Sequence, residues 1–173
     1  YNIELWQGGH TLIEPGASWR YLDTGVDPGG QWRVADYDDS HWGTGAAPLG
    51  YDSYERTTVS YGGDPAHKHV TTWFRGRFEV SDASQVGPLT VSLRRDDGAV
   101  VYLNAPKIGR TNLADRVVPA DTLPPADLER ASDARYAALV APARPGGDGS
   151  HVPPAALHQA SPPRPDRAAD PLR

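Results

Sequence analysis

Arg94-Arg95-Asp96-Asp97-Gly98-Ala99-Val100-Val101-Tyr102-Leu103-Asn104 has the pattern of a turn followed by a strand. Asp96-Asp97-Gly98 is typical of a tight turn, because an Asp-Gly pair accepts the positive φ angles of a type I′ hairpin. The run from Ala99 to Asn104 predicts the strand after this turn. We therefore expect the strands on either side of the turn to be adjacent and antiparallel.

Alternation of apolar and polar residues predicts two more strands before this turn. In the nearer one, Leu89, Val91 and Leu93 share a face. In the earlier one, from Thr72 to Val80, one face carries Phe74, Gly76, Phe78 and Val80, and the other carries Trp73, Arg75, Arg77 and Glu79. The second pattern predicts a half-buried strand.

No segment before Pro119 has the apolar spacing of an amphipathic helix, so this part is predicted to be all-β. Short strands joined by long loops are best buried as two face-to-face antiparallel sheets, which is the β-sandwich or jelly-roll arrangement. A closed barrel is the alternative.

Composition excludes several classes of protein. The net charge of -5 argues against a nucleic-acid surface, which usually carries a clustered basic face. No run of about 18 apolar residues is present, so no membrane span is predicted. The absence of Cys excludes disulfides and thiol catalysis. Because the chain begins at Tyr1, we expect a mature or excised fragment.

Large residues are concentrated in the first part of the chain. All five Trp residues lie between Trp6 and Trp73, whereas 11 of the 17 Pro residues lie between Pro119 and Pro171. We therefore expect the first part of the chain to supply most of the core. A length of 173 residues suits one domain, so residues 1–173 are predicted to form a single β-sandwich module.

Three segments resemble the galactose-binding-like jelly-roll superfamily: Trp19 to Gly25, Trp32, and Ala35 to Gly45. The same layout is found in the sugar-binding domains of family 2 glycoside hydrolases. Val100 to Asn104 with Ile108 to Arg110 is similar to a strand pair of those domains. By this spacing, Trp19, Trp32 and Trp42 are predicted to be buried.

A closer resemblance is to a module of secreted bacterial multidomain proteins, which carries similar motifs in the same order. Those motifs are Ala47 to Tyr51, Thr71 to Arg75 and the stretch from Arg94 to Asn104. The resemblance implies a secreted, extracellular accessory module, with a carbohydrate or an adjacent domain or protein as partner. It also implies a structural calcium ion. The resemblance extends over residues 149–170, where Pro153-Pro154 interrupts an expected strand, so residues 113–173 are expected to contain degenerate strands. A proline within a sheet is tolerated mainly at an edge or a bulge.

Asp36, Asp38 and Asp39 are the candidate metal ligands, because calcium prefers carboxylate and carbonyl oxygens in such loops. The alternative is turn chemistry, with side chains of the Asp-Ser segment bonding nearby backbone amides. His67 and His69 could begin a zinc or nickel site, with Asp64 as a weak third ligand. A solvated loop is the favoured interpretation of that segment.

Tyr54, Arg56, Tyr61 and Trp73 are the candidate carbohydrate ligands. They lie in or beside the loop from Gly50 to Val70, which also contains Tyr51. A sugar ring stacks on an aromatic plane while polar side chains bond its hydroxyls. The alternative is that these rings cover the edge of the core.

No catalytic residues are predicted. Asp96 and Asp97 could be a glycosidase carboxylate pair, but adjacent residues in a turn point in different directions. No nucleophile elbow or phosphate loop is present. The leading hypothesis is a non-catalytic carbohydrate-binding or accessory module. The alternatives are a structural or protein-interaction domain without a small ligand and, less favoured, part of a hydrolase.

Overall fold

A computed structural model describes residues 2–7, 10–51, 55–80, 88–94, 98–113, 136–141 and 152–160. These residues form twelve strands and one short 3-10 helix, Gly30–Arg33. The strands are β1 (Asn2–Gln7), β2 (His10–Ile13), β3 (Ser18–Leu22), β4 (Gly43–Ala46), β5 (Leu49–Gly50), β6 (Thr57–Thr58), β7 (Thr71–Phe78), β8 (Leu89–Arg94), β9 (Gly98–Leu103), β10 (Lys107–Thr111), β11 (Tyr136–Ala141) and β12 (Val152–Ala160). The all-β prediction is confirmed. Within these ranges, no helix could cross a membrane.

The strands form two antiparallel sheets and a short parallel pair. One sheet has the order β11-β8-β1-β2, the other has the order β10-β9-β12-β7-β3-β4, and β5 pairs with β6. In the described part of the chain neither sheet closes on itself, since each ends at two different strands. The described strands therefore do not form the closed barrel that was the alternative.

The two sheets share one hydrophobic core. Leu89, Val91 and Leu93 of the four-stranded sheet belong to the same buried cluster as Phe74 and Val101 of the six-stranded sheet. The predicted alternation of β8 is confirmed, because its other residues are only partly buried. Burial of each such side chain contributes about 1.5–3 kcal/mol, so this shared core is what holds the sheets together.

The predicted hairpin between β8 and β9 is wrong. β8 pairs with β1 and β11, whereas β9 pairs with β10 and β12, so the two strands lie in different sheets. A strand has two hydrogen-bonding edges, and both edges of each strand are already paired. The antiparallel neighbour of β9 along the chain is β10, across the segment Asn104-Ala105-Pro106.

The prediction that β7 is half-buried is also wrong. Phe74 and Phe78 face the shared core, as predicted, but Trp73 and Arg75 on the other face are only 2% and 1% exposed. Gly76 also belongs to the core face, where a Cβ atom would lie 2.6 Å from the Trp19 ring. The opposite face is covered by the chain around residues 30–42, which local periodicity does not reveal.

β12 occupies the middle of the six-stranded sheet, between β7 and β9. It contains Pro153 and Pro154, which remove two backbone donors. The register with β7 shifts between Val152 and Ala155, so the prolines coincide with an irregularity of the ladder. This agrees with the expectation that proline inside a sheet requires a bulge.

Candidate functional site

Asp39, one of the predicted metal ligands, is held by arginines of β7. Its carboxylate accepts a hydrogen bond from Arg75 Nε at 2.8 Å and lies 3.4 Å from Arg77 Nη2. Asp39 is 7% exposed, and the Arg77 side chain is 61% exposed. Asp39 therefore joins the loop before β4 to the outer face of β7, which is the face that carries Arg75 and Arg77.

Arg75 has further acceptors in the same loop. Its guanidinium donates to the carbonyl oxygens of Trp32 and Val34, and it lies 5.3 Å from the centre of the Tyr37 ring. A buried arginine requires such partners, because an unsatisfied buried charge is strongly destabilising. We call Asp39, Arg75 and the chain from Gly30 to Trp42 the outer-face clamp.

Asp36 and Asp38 lie on the exposed side of this loop. Hydrogen bonds from the Ser40 hydroxyl and the Ser40 backbone amide lower the pKa of Asp38 below its usual value. The hydrogen bond from the Ser40 backbone amide to Asp38 Oδ1 measures 3.0 Å. It is the turn interaction that was the alternative interpretation of the Asp-Ser segment.

The three carboxylates do not fit a calcium ion. Asp39 faces two guanidinium groups, and a cation there would replace an ion pair by a repulsion. Among the described residues, no three His, Asp or Glu side chains are grouped to hold a metal. The calcium ion implied by the resemblance stays a prediction that these residues do not support.

Two tryptophans of the outer-face clamp and Trp73 of β7 form a second buried cluster. Trp32, Trp42 and Trp73 are 5%, 3% and 2% exposed, and the rings of Trp32 and Trp42 stack at 6.4 Å. The prediction that Trp19, Trp32 and Trp42 are buried is confirmed. Trp73 offers no open ring face to a sugar, so its assignment as a ligand residue is corrected. It supports the outer-face clamp instead.

The parallel pair β5-β6 decides which loop residues meet. Because the two strands run in the same direction, Tyr51 after β5 and Tyr61 shortly after β6 lie at the same end. Their rings meet edge to face at 5.3 Å. Arg56 precedes β6 and lies at the opposite end, where its backbone amide donates to Pro48 and its guanidinium adjoins Gly16. The structure therefore separates Arg56 from Tyr61.

Lys68 completes the group around the two tyrosines. Its Nζ lies 5.0 Å from the centre of the Tyr61 ring and 5.4 Å from that of Tyr51. All three residues are partly buried and partly open to solvent. We call Tyr51, Tyr61 and Lys68 the rim patch. The sequence placed Lys68 only between two histidines, and no local signal connects it with tyrosines 7 and 17 positions away.

His69 orders the loop that carries the rim patch. Its Nδ1 donates to the Asp23 carbonyl at 2.8 Å, and its backbone amide donates to the Tyr61 carbonyl at 2.8 Å. A Cβ atom at Gly62, whose φ is +100°, would lie 2.9 Å from Nε2 of the same ring. Only glycine fits this close approach, so His69 and Gly62 together fix the backbone next to Tyr61.

His67 has a different partner from His69. Its Nδ1 lies 2.7 Å from Oδ2 of Asp64, and both side chains are mostly exposed. Hydrogen bonds from His67 and from the Ala66 backbone amide lower the pKa of Asp64. The two imidazoles therefore do not share a ligand site, and the favoured interpretation of a solvated loop holds for His67.

The rim patch is a surface whose side chains suit a small ligand. It combines two aromatic rings, two phenol groups and an ammonium group, which can stack on a ring and bond polar substituents. Tyr54, Asp96 and Asp97 lie outside the described residues. Of the predicted carbohydrate ligands that the structure describes, only Tyr61 lies in this patch.

Similarity to known proteins is found in structure and not in sequence. The sequence matches no family of known proteins and no curated protein. Among solved structures, the chain is similar to a beta-glycosidase from Bacteroides vulgatus, with 15% identity and a TM-score of 0.50 over 84% of this chain and 16% of that chain. It is also similar to a beta-glucuronidase from an uncultured Clostridium sp., with 13% identity and a TM-score of 0.48 over 92% of this chain and 22% of that chain. The chain thus spans less than a quarter of either protein.

Proposed function

We propose that this chain is a non-catalytic, carbohydrate-binding accessory module of a secreted bacterial protein, built as a galactose-binding-like jelly roll. The rim patch is the observation that carries the proposal. Two tyrosine rings and an ammonium group are held together at the end of the β5-β6 pair, partly open to solvent.

The aromatic and the polar groups of the rim patch have different roles in this proposal. A tyrosine ring stacks against the C–H face of a pyranose. The phenol groups and the Lys68 ammonium bond the hydroxyls around that ring. The order imposed by His69 keeps Tyr61 in place before the ligand arrives, which lowers the entropic cost of binding.

The fold similarity to the Bacteroides vulgatus protein supports an accessory position. That protein is described as a beta-glycosidase, and the matched part is 16% of its chain. A domain of this fold therefore occurs inside a larger glycosidase. The sequence motifs shared with modules of secreted bacterial proteins support the same assignment.

Calorimetric titration of the chain with a panel of soluble polysaccharides tests the proposal, with Tyr61→Ala as the variant. Loss of one stacked ring should weaken binding about tenfold. Tyr37→Ala is the matched control, because Tyr37 is also a partly buried tyrosine beside a cation but lies in the outer-face clamp. It should lower stability and leave the affinity unchanged.

Two outcomes would contradict the proposal. Equal affinities for the wild type and Tyr61→Ala would show that the ligand binds elsewhere. Absence of binding across the panel would favour a structural or protein-interaction domain without a small ligand.

A further inference from the structure

Lys68 forms no ion pair with a carboxylate of the residues that the structure describes. Among the described residues, ion pairs join Asp39 to Arg75 and Arg77, and Asp64 to His67. None of these pairs includes Lys68, although its ammonium group lies against two rings that exclude water from one side.

Two acidic residues near this loop, Asp23 and Asp64, are engaged elsewhere. Glu55 lies beside Gly50 and forms no ion pair with Lys68. Asp23 accepts the Ser60 backbone amide at 2.6 Å, and Asp64 accepts the Ala66 amide at 2.8 Å and the His67 ring. Their oxygens are thus used to hold backbone turns. They do not approach the Lys68 ammonium within ion-pair distance.

A cation in this position attracts an incoming anion more strongly than one in open water. Replacing water by aromatic rings lowers the local dielectric, and the interaction of two charges increases as the dielectric falls. The rings also restrict the lysine side chain before binding. The net charge of the whole chain is -5, so any preference for an anion must arise locally.

We propose that the rim patch selects saccharides that carry an anionic group, with Lys68 pairing with the anion while a tyrosine ring stacks on the sugar. This inference rests on the proposed carbohydrate-binding function and names its ligand class. A carboxylate and a sulfate ester both supply the required charge. The two are separated by the ligands used in the test.

The test compares ligands that differ in charge and share a backbone. Affinities are measured for polygalacturonate and its fully methyl-esterified form, and for dextran sulfate and dextran. We expect the wild type to prefer the charged member of at least one pair by roughly tenfold. Preference within the first pair identifies a carboxylate as the ligand group, and preference within the second identifies a sulfate.

Variants then assign the preference to Lys68. Lys68→Met should remove it by weakening binding of the charged ligand, and Lys68→Arg should retain it. Arg33→Met is the matched control, because Arg33 lies 4.9 Å from the Tyr102 ring in a similar cation–π contact elsewhere, and its loss should leave the preference intact.

Equal binding of charged and neutral ligands by the wild type would overturn this inference and leave the proposed function standing. A preference that survives Lys68→Met would also overturn it. Failure to bind any of the four ligands and the wider panel would overturn the proposed function and this inference with it.

Discussion

The outer-face clamp and the rim patch use similar groups in different ways. Each holds a cation near a tyrosine ring, at 5.3 Å for Arg75 and Tyr37 and at 5.0 Å for Lys68 and Tyr61. Arg75 is buried and bonded to a carboxylate and two carbonyl oxygens, whereas Lys68 is partly open and has no carboxylate partner among the described residues. Both cations have an aromatic contact, so this contact does not distinguish their roles. The polar partners do: those of Arg75 indicate a structural role, and the lack of a carboxylate partner at Lys68 among the described residues favours a binding role.

The largest effect is expected from Asp39→Ala in the outer-face clamp. This change leaves the Arg75 charge buried without its carboxylate, which should lower the free energy of unfolding by about 3–5 kcal/mol. Urea denaturation measures the loss.

Replacing both charges is the control for this prediction. Asp39→Leu combined with Arg75→Met removes the buried ion pair as a whole and should recover part of the stability, since no uncompensated charge remains. Recovery is incomplete because the carbonyl oxygens of Trp32 and Val34 lose their donor. A single Asp39→Ala variant as stable as the wild type would show that the outer-face clamp does not depend on this pair.

Gly62→Ala tests whether the backbone conformation next to Tyr61 is needed for the rim patch. The positive φ of Gly62 and the close His69 ring make a Cβ atom unfavourable, so we expect a loss of about 1–3 kcal/mol and weaker ligand binding. Gly63→Ala is the matched control, because a Cβ atom there would have no neighbour within 4 Å. Equal melting temperatures for the two variants would contradict the role assigned to Gly62.

Lys68→Met should change stability much less than Asp39→Ala. An exposed cation–π contact contributes about 0.5–1 kcal/mol, and no buried charge is left behind when Lys68 is removed. Urea denaturation of both variants under one condition makes the comparison. A loss as large as that of Asp39→Ala would place Lys68 among the structural residues.

The smallest effect concerns the exposed pair beside the rim patch. In His67→Ala, the pKa of Asp64 should rise towards its usual value, because its largest stabilising hydrogen bond is lost. A lowered carboxyl pKa favours the folded state above the unfolded pKa, and this contribution is lost as the pH falls through the folded pKa. NMR titration measures the change, with Asp38 as the internal control because its pKa depends on Ser40.

The sequence predicted strand positions better than strand partners. The alternation of Leu89, Val91 and Leu93 and the burial of Trp19 follow from local pattern and motif. The Asp-Gly turn signal does not specify whether the chain stays in one sheet or crosses the core, so the partner of β9 was mispredicted.

The candidate site was less predictable because it depends on distant contacts. Trp73 lies on an alternating strand, and only the loop that covers it shows that its ring is buried. Arg56 and Tyr61 are five residues apart, yet the β6 strand between them places them at opposite ends of a parallel pair. Lys68 joins the tyrosines through the loop path that His69 fixes.

The central position of β12 has a consequence for synthesis on the ribosome. Residues 152–160 pair with both β7 and β9, so the six-stranded sheet cannot be completed until residue 160 has been made. Translation proceeds from the N-terminus, and until then the facing edges of β7 and β9 lack their partner and can pair with other chains. We expect the nascent protein to depend on chaperones until this late strand emerges, and protease sensitivity of ribosome-bound chains stalled before and after residue 160 would measure that dependence.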